Sequence, residues 1–422
     1  MPGYLALARN RGILPLRWMD RAHPIRRHGL LRPAFLQPLA PASGPVPLRN
    51  AMNSIRFQSE PANGFYLTLR RRVHAYFEER GLNRYGTAGA RWKAALFAGL
   101  FGASYGVVLG VPLPLGAFLA VWFAMGVLLL LAAMSIVHDA AHGVFSARPW
   151  VNAVLLRFAN LVGGDGYMYK YKHTVSHHAY TNIPGLDIDL EQSSWVRVTP
   201  HAAPRAGHRR QHYYMRVLYP FYVLFWVLFR DFKYYRRARI GTVAARHAAV
   251  HWVTLFVSKA FYLGYMLAVP ALVLPGPFWH VALGFGCMHV GSGVVAMVAL
   301  LANHAVEDSV FVVPTADGCI ACSWGEHQLR TTDDYSPDSP LVSFLFSGLN
   351  HHVAHHLFPR YSHVHYPAIT QLVRATAQEF GLRYRSNSLF GALGSHFRLL
   401  KKLSHGAGAV QPPLPAPSAA AS

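Results

Sequence analysis

Charged side chains are scarce in this 422-residue chain: Asp, Glu, Lys and Arg together make up 14% of it, and 18 acids stand against 40 bases. Soluble domains carry about 25% charged residues, so an ordinary soluble enzyme is disfavoured. A disordered protein is also disfavoured, because 52% of the residues are hydrophobic and 13% are aromatic. Together with a mean hydropathy of +0.20, these values favour a polytopic membrane protein.

Cysteine is scarce as well, with three residues in the chain. That number excludes a disulfide framework, and the CxxC spacing of Cys319 and Cys322 is by itself weak evidence for a redox or metal pair. No known nucleic-acid motif occurs, so we expect no nucleic-acid partner. The net charge of +22 is instead typical of basic loops that set membrane orientation and contact anionic headgroups.

The two ends of the chain differ in composition from its middle. Residues 1–51 contain eight arginines, eight prolines and no lysine, and they lack the apolar core of a secretory signal peptide. We interpret 1–54 as a disordered basic extension; a transit peptide and a true start at Met52 are the alternatives. Residues 404–422, rich in Ala, Pro and Ser, are predicted to form a disordered tail. The domain proper is then 55–403.

Two long segments are almost free of charge. No Asp, Glu, Lys or Arg occurs from 94 to 137, and Lys259 is the only one between 251 and 303. A spanning helix needs about 20 residues, and each segment is broken near its middle by a Pro-containing turn. The prediction is an all-α protein with four transmembrane helices, at 94–111, 115–137, 251–274 and 278–302.

The connection between the two pairs of spans, 143–250, carries fifteen bases against five acids. The positive-inside rule places this connection and both termini in the cytoplasm. Its charge is explained either by this topology alone or by binding of an acidic headgroup. The apolar run 217–229 is too short to span a bilayer, so we predict an interfacial or buried helix there.

Histidine is abundant, at 25 residues, and nine histidines lie at the cytoplasmic ends of the spans or in cytoplasmic segments. They form three clusters and one single position: His138 and His142; His173, His177 and His178; His352, His355 and His356; and His304. Residues four apart share a helix face, so His138 with His142, and His173 with His177, are each predicted to bind one metal ion. Adjacent histidines point in different directions and can serve two metal ions.

Ligand type alone does not identify the metal, because imidazole suits Zn, Cu, Fe and Ni. Structural zinc takes four ligands, often including Cys, so nine histidines favour redox iron that binds O2. A zinc protease would need Glu in an HExxH motif, where this chain has Asp139 and Thr174. Asp139 is either the carboxylate that accepts the outer N–H of a metal-bound imidazole or a helix-end charge.

The other sixteen histidines are expected mostly to be ordinary polar side chains. His351, His363 and His365 lie close to the third cluster, and their roles stay open at this point. His289 lies in the middle of a span, where a polar group either indicates function or packs against the hydroxyl of a neighbour.

In order and spacing, the clusters resemble the HxxxH, HxxxHH and (H/Q)xxHH boxes of the membrane fatty acid desaturase family. The resemblance covers roughly 55–402, and segments 138–189, 303–308, 326–332 and 348–368 are similar to its linoleoyl-CoA-desaturase-like, front-end branch. It implies two non-haem iron ions in a cytosolic helical cap above a four-helix stem. The eight box histidines would bind them, and His304 would be the extra ligand from the last span.

The resemblance also implies a reaction: insertion of a cis double bond into a long acyl chain, using O2 and two electrons. The chain would be bound to CoA, a carrier protein or a phospholipid in the bilayer. Front-end members usually have Gln where this chain has His352, a departure that bears on regioselectivity. Many also contain a fused cytochrome b5 domain, but no His-Pro-Gly-Gly motif occurs here. The electrons would then come from a separate donor such as ferredoxin or cytochrome b5.

Two rival functions remain from the sequence. A hydroxylase, ketolase or acetylenase would use the same di-iron scaffold, and fold analogy does not separate these reactions. A non-enzymatic metal transporter or haem-binding membrane protein is the second rival, although transport predicts polar groups along the spans. The expected location is the bacterial inner membrane, or the endoplasmic reticulum in a eukaryote, with the active site facing the cytoplasm.

Overall fold

The computed structural model describes residues 55–190, 193 and 195–404. The predicted basic extension at 1–54 lies outside the described residues. So does the predicted tail, apart from Ser404, which ends the last helix.

The described chain is mostly helical. Its α-helices in chain order are α1 Phe65–Glu79, α2 Ala88–Gly110, α3 Leu115–Ala133, α4 Asp139–His142, α5 Pro149–Leu156, α6 Phe158–Leu161, α7 Gly166–Lys172, α8 Gln211–Leu218, α9 Tyr222–Phe225, α10 Asp231–Tyr235, α11 Ala249–Leu263, α12 Val269–Val273, α13 Phe278–His304, α14 Trp324–Thr331, α15 Pro340–Leu345, α16 His352–Leu357, α17 Tyr366–Glu379 and α18 Leu389–Ser404. Four π-helical turns interrupt this order, at Met134–His138, His173–His177, Trp226–Arg230 and Gly264–Ala268, and three 3₁₀ turns lie at Ala206–Arg210, Tyr219–Phe221 and His363–His365.

The strands are two residues long and pair in three small ladders. They are β1 Arg56–Phe57, β2 Arg239–Ile240, β3 Val243–Ala244, β4 Cys319–Ile320, β5 Asp334–Tyr335 and β6 Ser386–Asn387. β1 pairs with β4 in parallel, β2 with β3 antiparallel, and β5 with β6 in parallel. The two parallel pairs therefore join segments that are far apart in sequence.

Within the described residues, four helices are long and apolar enough to cross a membrane: Ala88–Gly110, Leu115–His142, Ala249–Val273 and Phe278–His304. This confirms the predicted number and order of spans. The first helix begins six residues before the predicted start at 94. Thr87 caps it by accepting from the backbone N–H of Ala90, and Lys93 is buried, with its ammonium 2.8 Å from His363 Nε2. A charge that is turned inward and paired does not have to end a membrane helix.

The stem is built around the contact between α3 and α13. A Cβ at Gly126 would lie 1.8 Å from the carbonyl oxygen of Met288, and one at Gly291 would lie 2.3 Å from that of Phe123. The two backbones therefore approach as closely as glycine allows, which is typical of packing between membrane helices. Ser292 adds a hydrogen bond of 2.8 Å to the carbonyl of Gly126.

The segment 211–235 is a helical rod made of α8, α9 and α10 with a 3₁₀ and a π turn between them. One face packs on α13, where a Cβ at Gly293 would lie 1.8 Å from the carbonyl of Pro220. The opposite face exposes a row of large apolar side chains at four-residue spacing: Val217, Phe221, Phe225 and Phe229. Such a rod has the form expected of an interfacial helix, and its position at the membrane surface stays a prediction.

The two ends of the stem differ. The turns at 111–114 and 274–277 lie together around an apolar cavity lined by residues such as Val111, Leu113, Leu274 and Val281. At the other end, α1, α14, α16 and α17 share a separate apolar cluster that forms the cap. The clustered histidines lie between that cap and the stem.

Candidate metal centre

The nine clustered histidines converge from segments up to 218 residues apart in sequence, between His138 and His356. They include two groups of four, whose ligand atoms within each group lie within 4.8 Å of one another. The first group contains His138, His142, His173 and His355, and the second contains His177, His304, His352 and His356. The ninth, His178, lies with His355 and His356 in a third set that overlaps both groups.

The pairing of His138 with His142 agrees with the helical prediction. Both side chains lie in the first group, with ring centroids 5.0 Å apart. His138 ends the π turn Met134–His138 and is the N-cap of α4, on which His142 follows four residues later, so the two side chains share a face as residues four apart on a helix do.

Of the two four-histidine groups, His173 joins the first and His177 the second, but the two also form a further set with Asp189, with ligand atoms within 4.8 Å of one another. The predicted pairing of His173 with His177 on one metal ion stays a prediction. The segment between them is a π turn, in which the backbone N–H of His178 donates to the carbonyl of His173 at 3.0 Å. A π turn brings residues five apart into register, and the Nε2 atoms of His173 and His178 lie 3.2 Å apart. Asp189 remains within reach of both His173 and His177.

The third cluster serves both groups from one short helix. On α16, His352 and His356 face the second group and His355 faces the first. His352 Nε2 lies 2.8 Å from His304 Nε2, and His355 Nε2 lies 3.2 Å from His138 Nε2. Adjacent histidines thus point to different groups, as the sequence predicted for His355 and His356.

The outer nitrogens of several rings have defined partners. The Nδ1 atom of His177 contacts both Asp187 carboxylate oxygens at 3.1 Å, that of His355 contacts the Tyr366 hydroxyl at 3.1 Å, and that of His356 contacts Gln328 Oε1 at 2.9 Å. The backbone carbonyls of Leu349 and Thr331 face Nδ1 of His352 and His304. With Nδ1–H donated outward, each of these rings presents an unprotonated Nε2 to the centre of the cluster, as metal-bound imidazoles do.

The unsatisfied atoms in the cluster fit a metal site. Among the described residues, His142 Nε2, His356 Nε2 and His178 Nδ1 are buried and have no hydrogen-bond partner. Burial, and then the neighbouring imidazoles, hold the pKa of His178, His355 and His356 well below the usual range. Neutral rings with free lone pairs are what a metal ion needs, and without one these buried nitrogens would be a cost to folding.

Asp139 lies close to the cluster, but its nearest partners are not metal-site histidines. Its Oδ2 accepts from His363 Nδ1 at 2.9 Å and from Ser362 Oγ at 2.5 Å. Its Oδ1 lies 3.7 Å from His138 Nδ1, which is beyond hydrogen-bond distance. Its predicted role as a partner of a metal-bound ring stays a prediction.

Three residues that contact the cluster had no predicted role. Asp187 and Gln328 hold His177 and His356, and Asp189 lies near His173 with Lys172 and Arg230 as its cationic partners. All three fall inside the segments that carry the family resemblance. The polar residues within these segments, outside the histidine boxes themselves, were therefore the sequence signal that could have identified these contacts.

Several of the other histidines in the described part of the chain make ordinary polar contacts. His289 faces the Tyr262 hydroxyl at 3.0 Å, which is the packing alternative, and His351 contacts Thr370 Oγ1 at 2.9 Å. His365 faces the carbonyl of Tyr85 at 3.2 Å. Cys319 and Cys322 are both free thiols, so the CxxC spacing has produced no disulfide.

Known proteins are similar in sequence to this chain over most of its length. Residues 112–388 match the family described as Fatty acid desaturase. The sn-1 linoleoyl-lipid 6-desaturase of Arthrospira platensis is 30% identical over 344 residues, which cover 81% of this chain and 93% of the relative. The acyl-lipid (8-3)-desaturase of Physcomitrium patens is 30% identical over 394 residues, covering 91% and 80%. The chain belongs to the fatty acid desaturase family, as an oxidoreductase of its front-end branch.

Proposed function

We propose that the nine histidines hold two iron ions and that the protein desaturates a long acyl chain carried by a membrane lipid. The observation that supports this most is the pair of four-histidine groups, connected by His178 and by the adjacent residues His355 and His356. When bound, the two irons would supply the O2 activation and electron transfer that protein side chains lack. O2, two electrons, two protons and the two hydrogens removed from adjacent methylenes would yield a cis double bond and two molecules of water.

The residues around the histidines orient the ligands. Asp187 raises the pKa of His177 despite the opposing effect of burial, so its carboxylate increases the basicity of that ring as a ligand. Gln328 accepts from His356 at Oε1 and donates to the carbonyl of His178 at 2.9 Å. One side chain thereby fixes the ring of one ligand and the backbone of another, which limits the rearrangement required when a metal binds.

The cap and the stem exclude water from the two sides of the centre. On the cap side, Val353, Ala354 and Leu357 of α16 are buried in the cluster with α1 and α17. On the stem side, apolar residues from α3, the π turn after it and α13 lie within a few turns of His138 and His304: Leu131, Ala132, Met134, Val295 and Ala299. We assign this apolar layer as the side from which methylene groups of the acyl chain approach the metal centre.

A lipid-linked substrate is supported by the relatives and by the shape of the protein. The relatives are named for linoleoyl-lipid and acyl-lipid substrates, and the apolar row of segment 211–235 is exposed on the surface of the protein. The basic connection 143–250 supports a cytoplasmic cap by the positive-inside rule. A separate one-electron donor, such as ferredoxin or cytochrome b5, would supply the two electrons.

The test is product analysis in a host with simple lipids. The chain, its His356→Ala variant and a control, His74→Ala, would be expressed with oleate or linoleate in the medium. His74 lies on the exposed face of α1 and pairs with Glu78, away from the histidine cluster. We expect a new acid lacking two hydrogens with the parent and the control, found in the lipid fraction, and none with His356→Ala.

Three results would contradict parts of the proposal. An acid with an added oxygen atom would identify a hydroxylase on the same scaffold. Purified protein that is correctly folded but takes up no iron would exclude the di-iron centre, whatever the lipid profile shows. Product confined to the acyl-CoA pool would reject the lipid-linked substrate.

A further inference from the structure

Lys93 is a buried cation inside the first spanning helix, and the residue is 7% exposed. Its ammonium lies 2.8 Å from Nε2 of His363 and over the ring of Phe344, at 5.6 Å from the centroid. A charged group within a membrane span is unfavourable unless it is paired, and where it occurs it is usually functional. The proposed desaturation does not by itself require Lys93.

The contact with Lys93 determines how His363 is protonated. An ammonium group only donates hydrogen bonds, so His363 Nε2 must accept from Lys93. The proton of the neutral ring is then on Nδ1, which donates to Asp139 Oδ2 at 2.9 Å. The same oxygen accepts from Ser362 Oγ. Two donors, Ser362 and His363, therefore hold Oδ2 of Asp139. His363 is in turn hydrogen-bonded to the ammonium group of Lys93.

The other oxygen of Asp139 faces the metal centre. Asp139 Oδ1 lies 3.7 Å from Nδ1 of His138, and both atoms are buried without a hydrogen-bond partner among the described residues. The Nε2 of the same ring belongs to the first four-histidine group. The unsatisfied Oδ1 of Asp139 thus faces the unsatisfied Nδ1 of His138, and the Nε2 of that same ring is a candidate metal ligand.

We propose that Lys93 and His363 are positioning residues of the metal centre, which act by holding Asp139 behind the imidazole of His138. The inference rests on the proposed metal site. A ring that binds metal through Nε2 carries its proton on Nδ1, and Asp139 Oδ1 is the unsatisfied acceptor that faces this atom at 3.7 Å; the two atoms would have to move closer to form the hydrogen bond. A carboxylate in this position increases the basicity of the ligand and fixes the ring, and loss of such a partner typically reduces metal affinity about 10- to 100-fold.

The arrangement also connects elements that are distant in sequence. Lys93 comes from α2, Asp139 from the end of the second span, and His363 from the turn after α16. The charge of Lys93 balances that of Asp139 through one neutral ring, so the pair is buried without a net charge. A purely structural contact between these elements would not need an acceptor left free and facing His138.

The variants are chosen to separate positioning from packing. Lys93→Met and His363→Leu remove the charge and the ring. His363→Gln retains an acceptor for Lys93 and a donor for Asp139, and should restore function in part. The matched control is His365→Gln, because His365 lies two residues away on the same turn and bonds to the carbonyl of Tyr85 instead. His363→Leu leaves the spanning helices unaltered, so it carries the test if Lys93→Met does not accumulate.

The measurements are iron content, the rate of iron loss to a chelator, and the Mössbauer spectrum of purified protein loaded with ⁵⁷Fe. We expect Lys93→Met and His363→Leu to lose one of the two irons about 10-fold faster and to alter the spectral component of that iron alone. The rate of iron loss from His363→Gln should lie between the rates of these two variants and that of the parent. The rate and spectrum of His365→Gln should match those of the parent.

The outcomes separate the two proposals. If the parent protein binds no iron, the metal centre and this inference are both rejected. If the parent binds iron but His363→Leu keeps the same release rate and spectrum, only the positioning role is rejected. If His365→Gln releases iron as fast as His363→Leu, the effect is one of general packing, and this result would also overturn the inference.

Discussion

His173 and His178 face each other across one π-helical turn, with their Nε2 atoms 3.2 Å apart. In an α-helix, His173 would share its face with His177 instead. With this turn, His173 belongs to the first four-histidine group and His177 to the second, so one box of sequence contributes to both groups, while the two rings still stack at 5.4 Å. The local helix type therefore decides how these side chains are divided between the two four-histidine groups.

This division predicts different losses of metal from neighbouring positions. His173→Ala and His177→Ala should each retain about one of the two irons, because each variant removes a ligand from a different group. The double variant should retain close to none. Iron per protein, measured by elemental analysis on detergent-purified samples, checks this. Complete loss of iron in both single variants would mean that the two groups do not bind independently.

Gln328 is expected to matter for activity although it is not a candidate ligand. Gln328→Ala removes the acceptor at 2.9 Å from His356 Nδ1 and the donor to the carbonyl of His178. Removal of such an outer partner typically lowers activity about 10- to 100-fold. The rate of desaturated product formation per bound iron is the measurement. Gln371→Ala, on the exposed face of α17, is the control and should be unchanged.

The close contact between α3 and α13 predicts a strong effect of one methyl group. Gly126→Ala would place a Cβ against the carbonyl of Met288. Overpacking of this kind destabilises proteins by about 1–3 kcal/mol, so the melting temperature in detergent should fall. Gly102→Ala on α2 meets no atom within 4 Å and should leave the melting temperature unchanged or slightly higher. Similar values for the two variants would argue against so close a crossing of the two helices.

A buried ion pair connects the rod 211–235 to the third span. Lys259 Nζ lies 2.6 Å from Asp231 Oδ2 and 2.5 Å from the carbonyl of Gly163. Lys259→Met leaves the Asp231 carboxylate buried and unpaired, which is expected to destabilise the protein by about 3–5 kcal/mol. The double variant with Asp231→Asn should recover part of the loss. Thermal unfolding followed by circular dichroism measures both, and additive losses would contradict the pairing.

Replacement of iron by zinc should restore the thermal stability of the protein but not its activity. Removal of iron by a chelator is expected to lower the melting temperature, because buried ring nitrogens such as His142 Nε2 and His356 Nε2 lose their partner. Zinc should restore the melting temperature, since imidazole binds it well, but not product formation, since Zn²⁺ has no redox chemistry. Activity in the fully zinc-loaded protein would contradict a redox role for the centre.

Two polar residues in the spans show the limits of inference from sequence. The charge-free segment predicts a first span that starts after Lys93, but in the structure Lys93 points inward and pairs with His363. A hydropathy pattern counts a lysine as a charge facing water or lipid, and it contains no information about a partner 270 residues away. For His289 the sequence does not decide between function and packing, because its contact with the Tyr262 hydroxyl depends on a neighbouring helix.

The sequence by itself determined the four spans, their order and the gathering of nine histidines at one end of the stem. These properties follow from hydropathy and from position along the chain, which act locally. Tertiary structure decided which histidines share a group, because the π turn at His173–His177 is not visible in the spacing. It also decided the partners of each ring, such as Asp187, Gln328 and Tyr366, since those contacts require folding of distant segments onto one another.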